Sequence, residues 1–263
     1  IPVKALVRSN QQVESLREFP GCEPVVGDLR NPDGFSSALK DIDSLYFICP
    51  NVTPDEFEIG QNLIQLSQKL SIRHFCYHSV LHPQIEDMPH HWQKLRMEES
   101  LFKSGLAYTI LQPCAYMQNI LGGWSSIITG KYITPYNVNS RISIVDLNDV
   151  AAAAARILTQ PGHDFAIYEL AGPQALSQNE VARELSSSLK IPVAAIEQTR
   201  ESWRENAVKN GMDGYPLQTL LQMFEYYDKF GFVGNSTTLH NLLNREPTSF
   251  HQFLQNHLNS GEY

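Results

Sequence analysis

Ser44-Leu45-Tyr46-Phe47-Ile48-Cys49, then Thr53-Pro54-Asp55-Glu56, then His74-Phe75-Cys76-Tyr77-His78 decide the fold between them. The first and third are short, near-continuous apolar runs, the pattern of a strand buried on both faces. The second is a helix start. Thr53 can cap, Pro54 suits the first turn, and Glu56 completes a capping box. Behind it Leu63, Leu66 and Leu70 share one helical face. Strand, helix and strand in this order make a parallel crossover unit.

The alternation continues outward in both directions. Residues 3–7 and 23–28 read as strands, and Asn31-Pro32-Asp33 reads as a helix opening with Asn31 as cap. On the other side, helical spacing runs from His90 to Lys103, with Leu95 and Phe102 seven apart, and Gly105 stops it. Tyr108 to Leu111 is a further strand. Residues 141–145 read as a strand, and Asp146 caps a helix through five alanines to Leu158. After a break at Pro161-Gly162, residues 167–170 return to a strand. Ser177-Gln178-Asn179-Glu180 is a second capping box, and the chain beyond Glu201 is helical and aromatic. The sequence therefore predicts an α/β fold, a doubly wound parallel sheet over 1–172, with a smaller, mostly helical region over 173–263 on the substrate side.

Composition narrows the function. The chain has 263 residues, enough to bury a full core, and a net charge of −8. A nucleic-acid binder needs a basic face, so that class is disfavoured. An anionic cofactor needs only a few local donors. Cys22, Cys49, Cys76 and Cys114 are widely spaced with no C-x-x-C pair, which argues against a zinc ribbon and for a reducing compartment. With no stretch of membrane-span length and no signal peptide, the expectation is a cytoplasmic protein.

Several residues stand where chemistry could occur. Arg8 follows the first strand, where a dinucleotide fold meets the adenosine ribose. It reads either as the partner of a 2′-phosphate, giving NADP preference, or as a solvated strand-end arginine. Asp28 reads as an adenine ligand or as a turn residue. No glycine-rich phosphate loop precedes Arg8, so the first βα unit is expected to lie upstream. Ser79 ends a strand, and His90 and Lys94 stand four apart on one helix face, in the spacing of the Tyr-x-x-x-Lys pair of short-chain dehydrogenases. His90 reads as a proton donor near neutral pH or as a surface histidine; Lys94 reads as a ribose ligand or as the salt-bridge partner of Glu98. His74, His78 and His82 could share a strand face, but no further ligand completes a metal site, so none is expected. Cys114 reads as packing.

These segments together resemble the NmrA-like group of atypical short-chain dehydrogenase/reductases, which includes quinone and triphenylmethane reductases. The carrying residues are Val3 to Ser9, Gly27-Asp28-Leu29, the strand to His78-Ser79, Lys94 with Glu98 and Leu101, Ser104 to Pro113, Tyr116-Met117-Gln118-Asn119, and Ile144 to Ala151. The resemblance covers nearly the whole chain. It implies a Rossmann fold and NAD(P)H binding, NADPH preferred over NADH. Arg8 would meet the 2′-phosphate, and Asp28 and Leu29 the adenine. Cys49 and Pro50 would pass near the cofactor. Ser79 and Lys94 would approach the ribose and nicotinamide, bordered by Pro113 and Tyr116. The tyrosine of the Tyr-x-x-x-Lys pair is absent, which suits direct hydride transfer to a small quinone-like or aromatic acceptor, with solvent supplying any proton. Lys94, Ser79 and His90 are the expected catalytic groups, and Lys94→Ala is expected to lose NADPH affinity or turnover with the fold intact. The alternative is a non-catalytic NAD(P) sensor that binds a regulatory protein partner; a homodimer is also open.

Overall fold

The structure is a computed structural model that describes residues 1–261. The chain opens with β1 (Val3–Val7), α1 (Asn10–Leu16) and β2 (Cys22–Val26), and continues with β3 (Ser44–Phe47), α2 (Glu56–Lys69), β4 (His74–His78), α3 (Pro89–Ser104) and β5 (Ala107–Pro113). There follow β6 (Ala115–Tyr116), α4 (Trp124–Ile127), β7 (Lys131–Thr134), β8 (Arg141–Val145), α5 (Leu147–Thr159) and β9 (Ala166–Leu170). The C-terminal part holds β10 (Gln174–Ser177), α6 (Gln178–Leu189), β11 (Ala194–Glu197), α7 (Arg200–Lys209), α8 (Gly214–Phe230), α9 (Thr237–Leu243) and α10 (Phe250–Ser260).

The central sheet has the order β3-β4-β5-β9, and every pairing in it is parallel. Successive residues of one strand feed opposite layers. Phe75 and Tyr77 join a core with Ile59, Leu63, Met97 and Leu101, whereas Cys76 joins the core of Val150, Ala153 and Leu170. This two-faced burial is why the strands read as unbroken apolar runs. β1 and β2 form a separate parallel pair. A slot of about 1570 Å³ lies between β1 and β3, walled by Ile59 and Leu63 of α2 and by Ala154 and Leu158 of α5. Among the described residues each of these two strands is paired on one edge.

Residues on both sides of position 172 build a second layer. β8 pairs antiparallel with β10, and β7 pairs in parallel with β11. α10 packs on α6, and Asp149 at the start of α5 accepts from Arg245 Nη2 and from the Thr248 backbone N–H at 2.6 Å. Among the described residues no helix is long and apolar enough to cross a membrane.

Three local expectations are corrected. Residues 32–39 form two short 3-10 turns rather than an α-helix, and Asn31 makes no side-chain cap bond. Thr53 and Glu56 form no capping box: α2 starts after Asp55, Thr53 Oγ1 accepts from Arg30 at 3.2 Å, and the Glu56 carboxylate points inward. On α3 the core face is not that of Leu95 and Phe102. Phe102 is exposed, and the buried residues are His90, His91, Lys94, Met97, Glu98 and Leu101.

Candidate active site

The helix pair α2–α3 sets the site. Gly60 lacks the side chain that would collide with Met97: a Cβ there would lie 2.1 Å from the Met97 sulfur. That close approach, one turn along each helix from Glu56 and Lys94, brings those two side chains together. Lys94 Nζ lies 2.6 Å from Glu56 Oε1 and 3.3 Å from the carbonyl oxygen of His78. Tyr77 donates to the same carboxylate oxygen at 2.7 Å. Glu56 is 2% exposed, so its charge is tolerable only with these partners. An ammonium has three donors. Two of Lys94's are used by Glu56 and His78, and one remains for a ligand in the cavity that Lys94 lines.

Glu98 does not pair with Lys94. It accepts from Ser79 Oγ, and from Gln112 Nε2 at 2.9 and 3.1 Å. Burial raises its carboxyl above the ordinary range, against the lowering pull of these two donors. The Ser79 hydroxyl proton is therefore committed inward, leaving its lone pairs for a ligand.

His78 ends β4 between two tyrosines. Its Nδ1 is 2.6 Å from the Tyr46 hydroxyl and its Nε2 2.6 Å from the Tyr116 hydroxyl. Burial lowers its pKa to about 4. His74 instead meets Thr109 at 2.9 Å, and the His82 carbonyl accepts from His91 at 3.0 Å. His74 and His78 lie on β4, but His82 lies beyond the strand in a bend at φ 52°, so the three histidines go to different neighbourhoods and do not share a strand face.

His90 is not a surface residue. It is 7% exposed, and its Nδ1 is buried without a hydrogen-bond partner. Burial lowers its pKa to about 3, with the neighbouring His91 and Lys94 acting in the same sense. It is neutral near pH 7, so the expected donation of a proton by imidazolium at that pH is corrected. Cys114 and Cys49 are buried thiols, each pushed up by desolvation to about 12, which keeps them from acting as thiolates.

A cavity of about 730 Å³ is lined by Cys49, Ser79, His90, Lys94, Pro113 and Tyr116 together with aromatic side chains of the C-terminal part. Arg8, Asp28, Leu29 and Pro50 line the slot instead. Ile48 and Cys49 line both, so the two spaces adjoin at the end of β3. Arg8 is exposed, and its guanidinium has no ion-pair or hydrogen-bond partner among the described residues. Glu56, Gln112 and Tyr46 are the residues that sequence reasoning missed. Each acts through a neighbour distant in the chain, and no local pattern announces it.

The buried histidines make the fold acid-sensitive. His78, His90 and His91 are held at about 4, 3 and 4, below the ordinary 6.5. As pH falls below 6.5 the unfolded chain takes up protons that the folded chain refuses, so stability drops through the window from about 6.5 to about 4. The raised Glu98 acts in the opposite sense, one group against four with His74, which burial also lowers. Urea midpoints at pH 7 and pH 5 are expected to differ, with the lower value at pH 5; an equal or higher midpoint at pH 5 contradicts the neutral burial of these rings.

The NmrA-like family matches residues 1–254. An NAD(P)H azoreductase of Xenophilus azovorans is 28% identical over 260 residues, covering 98% of this chain and 90% of that protein. The crystal structure of the Escherichia coli NADPH-dependent quinone oxidoreductase complexed with NADPH superposes with a TM-score of 0.84 at 23% identity, covering 97% of this chain and 90% of that one. The structure of NmrA, a negative transcriptional regulator, in complex with NADP has a TM-score of 0.75 at 16% identity, with coverage of 99% and 88%.

Proposed function

We propose that this chain, which belongs to the NmrA-like family, is an NAD(P)H-dependent reductase of a small, flat quinone-like or aromatic acceptor. The observation that carries the reading is the meeting of the two spaces at Ile48 and Cys49, with Arg8 on the slot and Lys94 on the cavity. A phosphorylated dinucleotide needs a cationic partner at one end and a shaped, water-poor pocket at the other. The residues fit that demand. Arg8 offers a free guanidinium to a 2′-phosphate, with Asp28 and Leu29 beside the base. Lys94 offers its remaining donor to the nicotinamide ribose.

When bound, the reduced nicotinamide supplies the hydride. The chain's own task is positioning and exclusion of water. Pro113 and Tyr116 border the ring site. Tyr132, Tyr136, Trp203, Phe224 and Phe232 provide flat apolar walls, which favour a planar acceptor over a sugar or an acid. The azoreductase and quinone oxidoreductase relatives agree with that acceptor class.

The test is acceptor-dependent oxidation of NADPH by the full-length protein, over a panel of benzoquinones, naphthoquinones, azo dyes and cationic triarylmethane dyes. Saturable turnover with at least one class is expected. Tight NADPH binding with no turnover over the panel would overturn the reductase reading in favour of a sensor that signals to a protein partner.

A further inference from the structure

A quinone and a carbocation dye make different demands on a hydride-transfer site. Each takes one hydride, but only the quinone then needs a proton, because its carbonyl oxygen becomes an oxyanion. His90 is buried and neutral, and the Ser79 proton is committed to Glu98. The cavity wall offers one other hydroxyl with a built supply line. Tyr116 lines the cavity, and its hydroxyl lies 2.6 Å from His78 Nε2. On the far side of the same ring, His78 Nδ1 lies 2.6 Å from the hydroxyl of Tyr46, which lines the slot. A phenol, an imidazole and a second phenol therefore connect the two spaces in a single hydrogen-bonded chain.

We infer that Tyr116 is the proton donor to the reduced acceptor, and that His78 and Tyr46 are positioning residues that replace its proton. The inference rests on the reductase reading above. The step balances. Hydride from the reduced nicotinamide adds to the quinone and its electron pair arrives on the carbonyl oxygen. The Tyr116 O–H bond breaks and that oxygen takes the proton. Tyr116 recovers a proton from His78 Nε2–H, while His78 Nδ1 takes the Tyr46 proton and Tyr46 is reprotonated by water in the slot. The chain requires the His78 tautomer that carries its proton on Nε2, with Tyr46 donating to Nδ1. The relay needs a neutral ring, since an imidazolium donates to both phenols and cannot accept from Tyr46, and burial, which lowers the His78 pKa to about 4, keeps it neutral. Burial holds the Tyr116 phenol up at about 12, so it is protonated and available at neutral pH.

The two acceptor types make the test self-referenced. Wild type, Tyr116→Phe and Tyr46→Phe are assayed with NADPH and a naphthoquinone, and with NADPH and a cationic triarylmethane dye. The ratio of quinone kcat to dye kcat is expected to fall about 100-fold in Tyr116→Phe, the usual size of a positioned acid's contribution. It is expected to fall by a smaller factor in Tyr46→Phe. The solvent deuterium isotope effect on the quinone reaction should shrink in both. A misfolded variant loses both activities together and leaves the ratio unchanged, so the ratio reports proton delivery alone. Nitrogen-15 NMR of His78 in the protein without cofactor gives an independent readout: a neutral ring with the proton on Nε2. An unchanged ratio in a Tyr116→Phe that still reduces both acceptors, or an Nδ1–H tautomer, overturns the relay while leaving the reductase reading intact. No reduction of either acceptor by wild type overturns both.

Discussion

Lys94→Ala is expected to destabilise the fold by about 3–5 kcal/mol, the usual cost of leaving one member of a buried ion pair without its partner. The reason lies in Glu56, which is 2% exposed and would keep only the Tyr77 hydroxyl as a donor. The sequence alone predicts a different outcome, loss of NADPH affinity or turnover with the fold intact, because it offers Lys94 only a ribose or Glu98 as partner. Structural and functional roles can be separated by a second change. Lys94→Met with Glu56→Gln removes both charges, and a neutral pair of similar volume is often close to neutral in stability. Urea unfolding should show the double variant recovering most of the loss. NADPH binding should not recover, because the free ammonium donor is gone. A double variant as stable as wild type that binds NADPH equally well would remove Lys94 from the cofactor site.

Arg8→Ala is expected to weaken NADPH binding about 10- to 150-fold, corresponding to the loss of roughly 1.5–3 kcal/mol for hydrogen bonds to a charged group. NADH, which lacks the 2′-phosphate, should lose far less. The chain carries a net charge of −8, so a phosphate approaching the slot depends on local cations rather than on the overall field. Arg8 suits this task because no acidic or polar partner among the described residues competes for its guanidinium. Its backbone N–H is held by Gln12 Oε1 at 2.8 Å and Ser9 caps α1, which fixes the strand end while the guanidinium stays free. An exposed arginine without partners contributes little to stability, so Tm should hold. Comparison of the Kd values for NADPH and NADH in wild type and variant checks the expectation; an equal loss for both cofactors would place Arg8 away from the 2′-position.

The parts of the fold that were legible are those whose burial is apolar. β3, β4 and β5 are near-continuous apolar runs because helices cover both sheet faces, and that pattern survives in one sequence. Gly105 at the end of α3 adopts φ 73°, a conformation that its sequence position already suggested. The site was harder to see because its helix buries polar groups. His90, Lys94 and Glu98 recur at fourfold spacing on the inward face of α3, where a search for apolar periodicity assigns them to solvent. Glu56 was misread for a related reason. Beside Thr53 and Pro54 it completes a local capping pattern, but its partners Tyr77 and Lys94 lie 21 and 38 residues away. A local motif cannot compete with two buried donors. His78 was legible as a strand end, yet the tyrosines on either side of its ring come from β3 and β6 and were visible only once the strands were paired.

In the proposed reductase one nicotinamide dinucleotide spans the slot and the cavity, with its 2′-phosphate at Arg8. Titration calorimetry of the protein with NADPH and with NADH decides this: one NADPH per chain is expected, bound more tightly than NADH, whereas absence of binding by either cofactor removes the basis for hydride transfer.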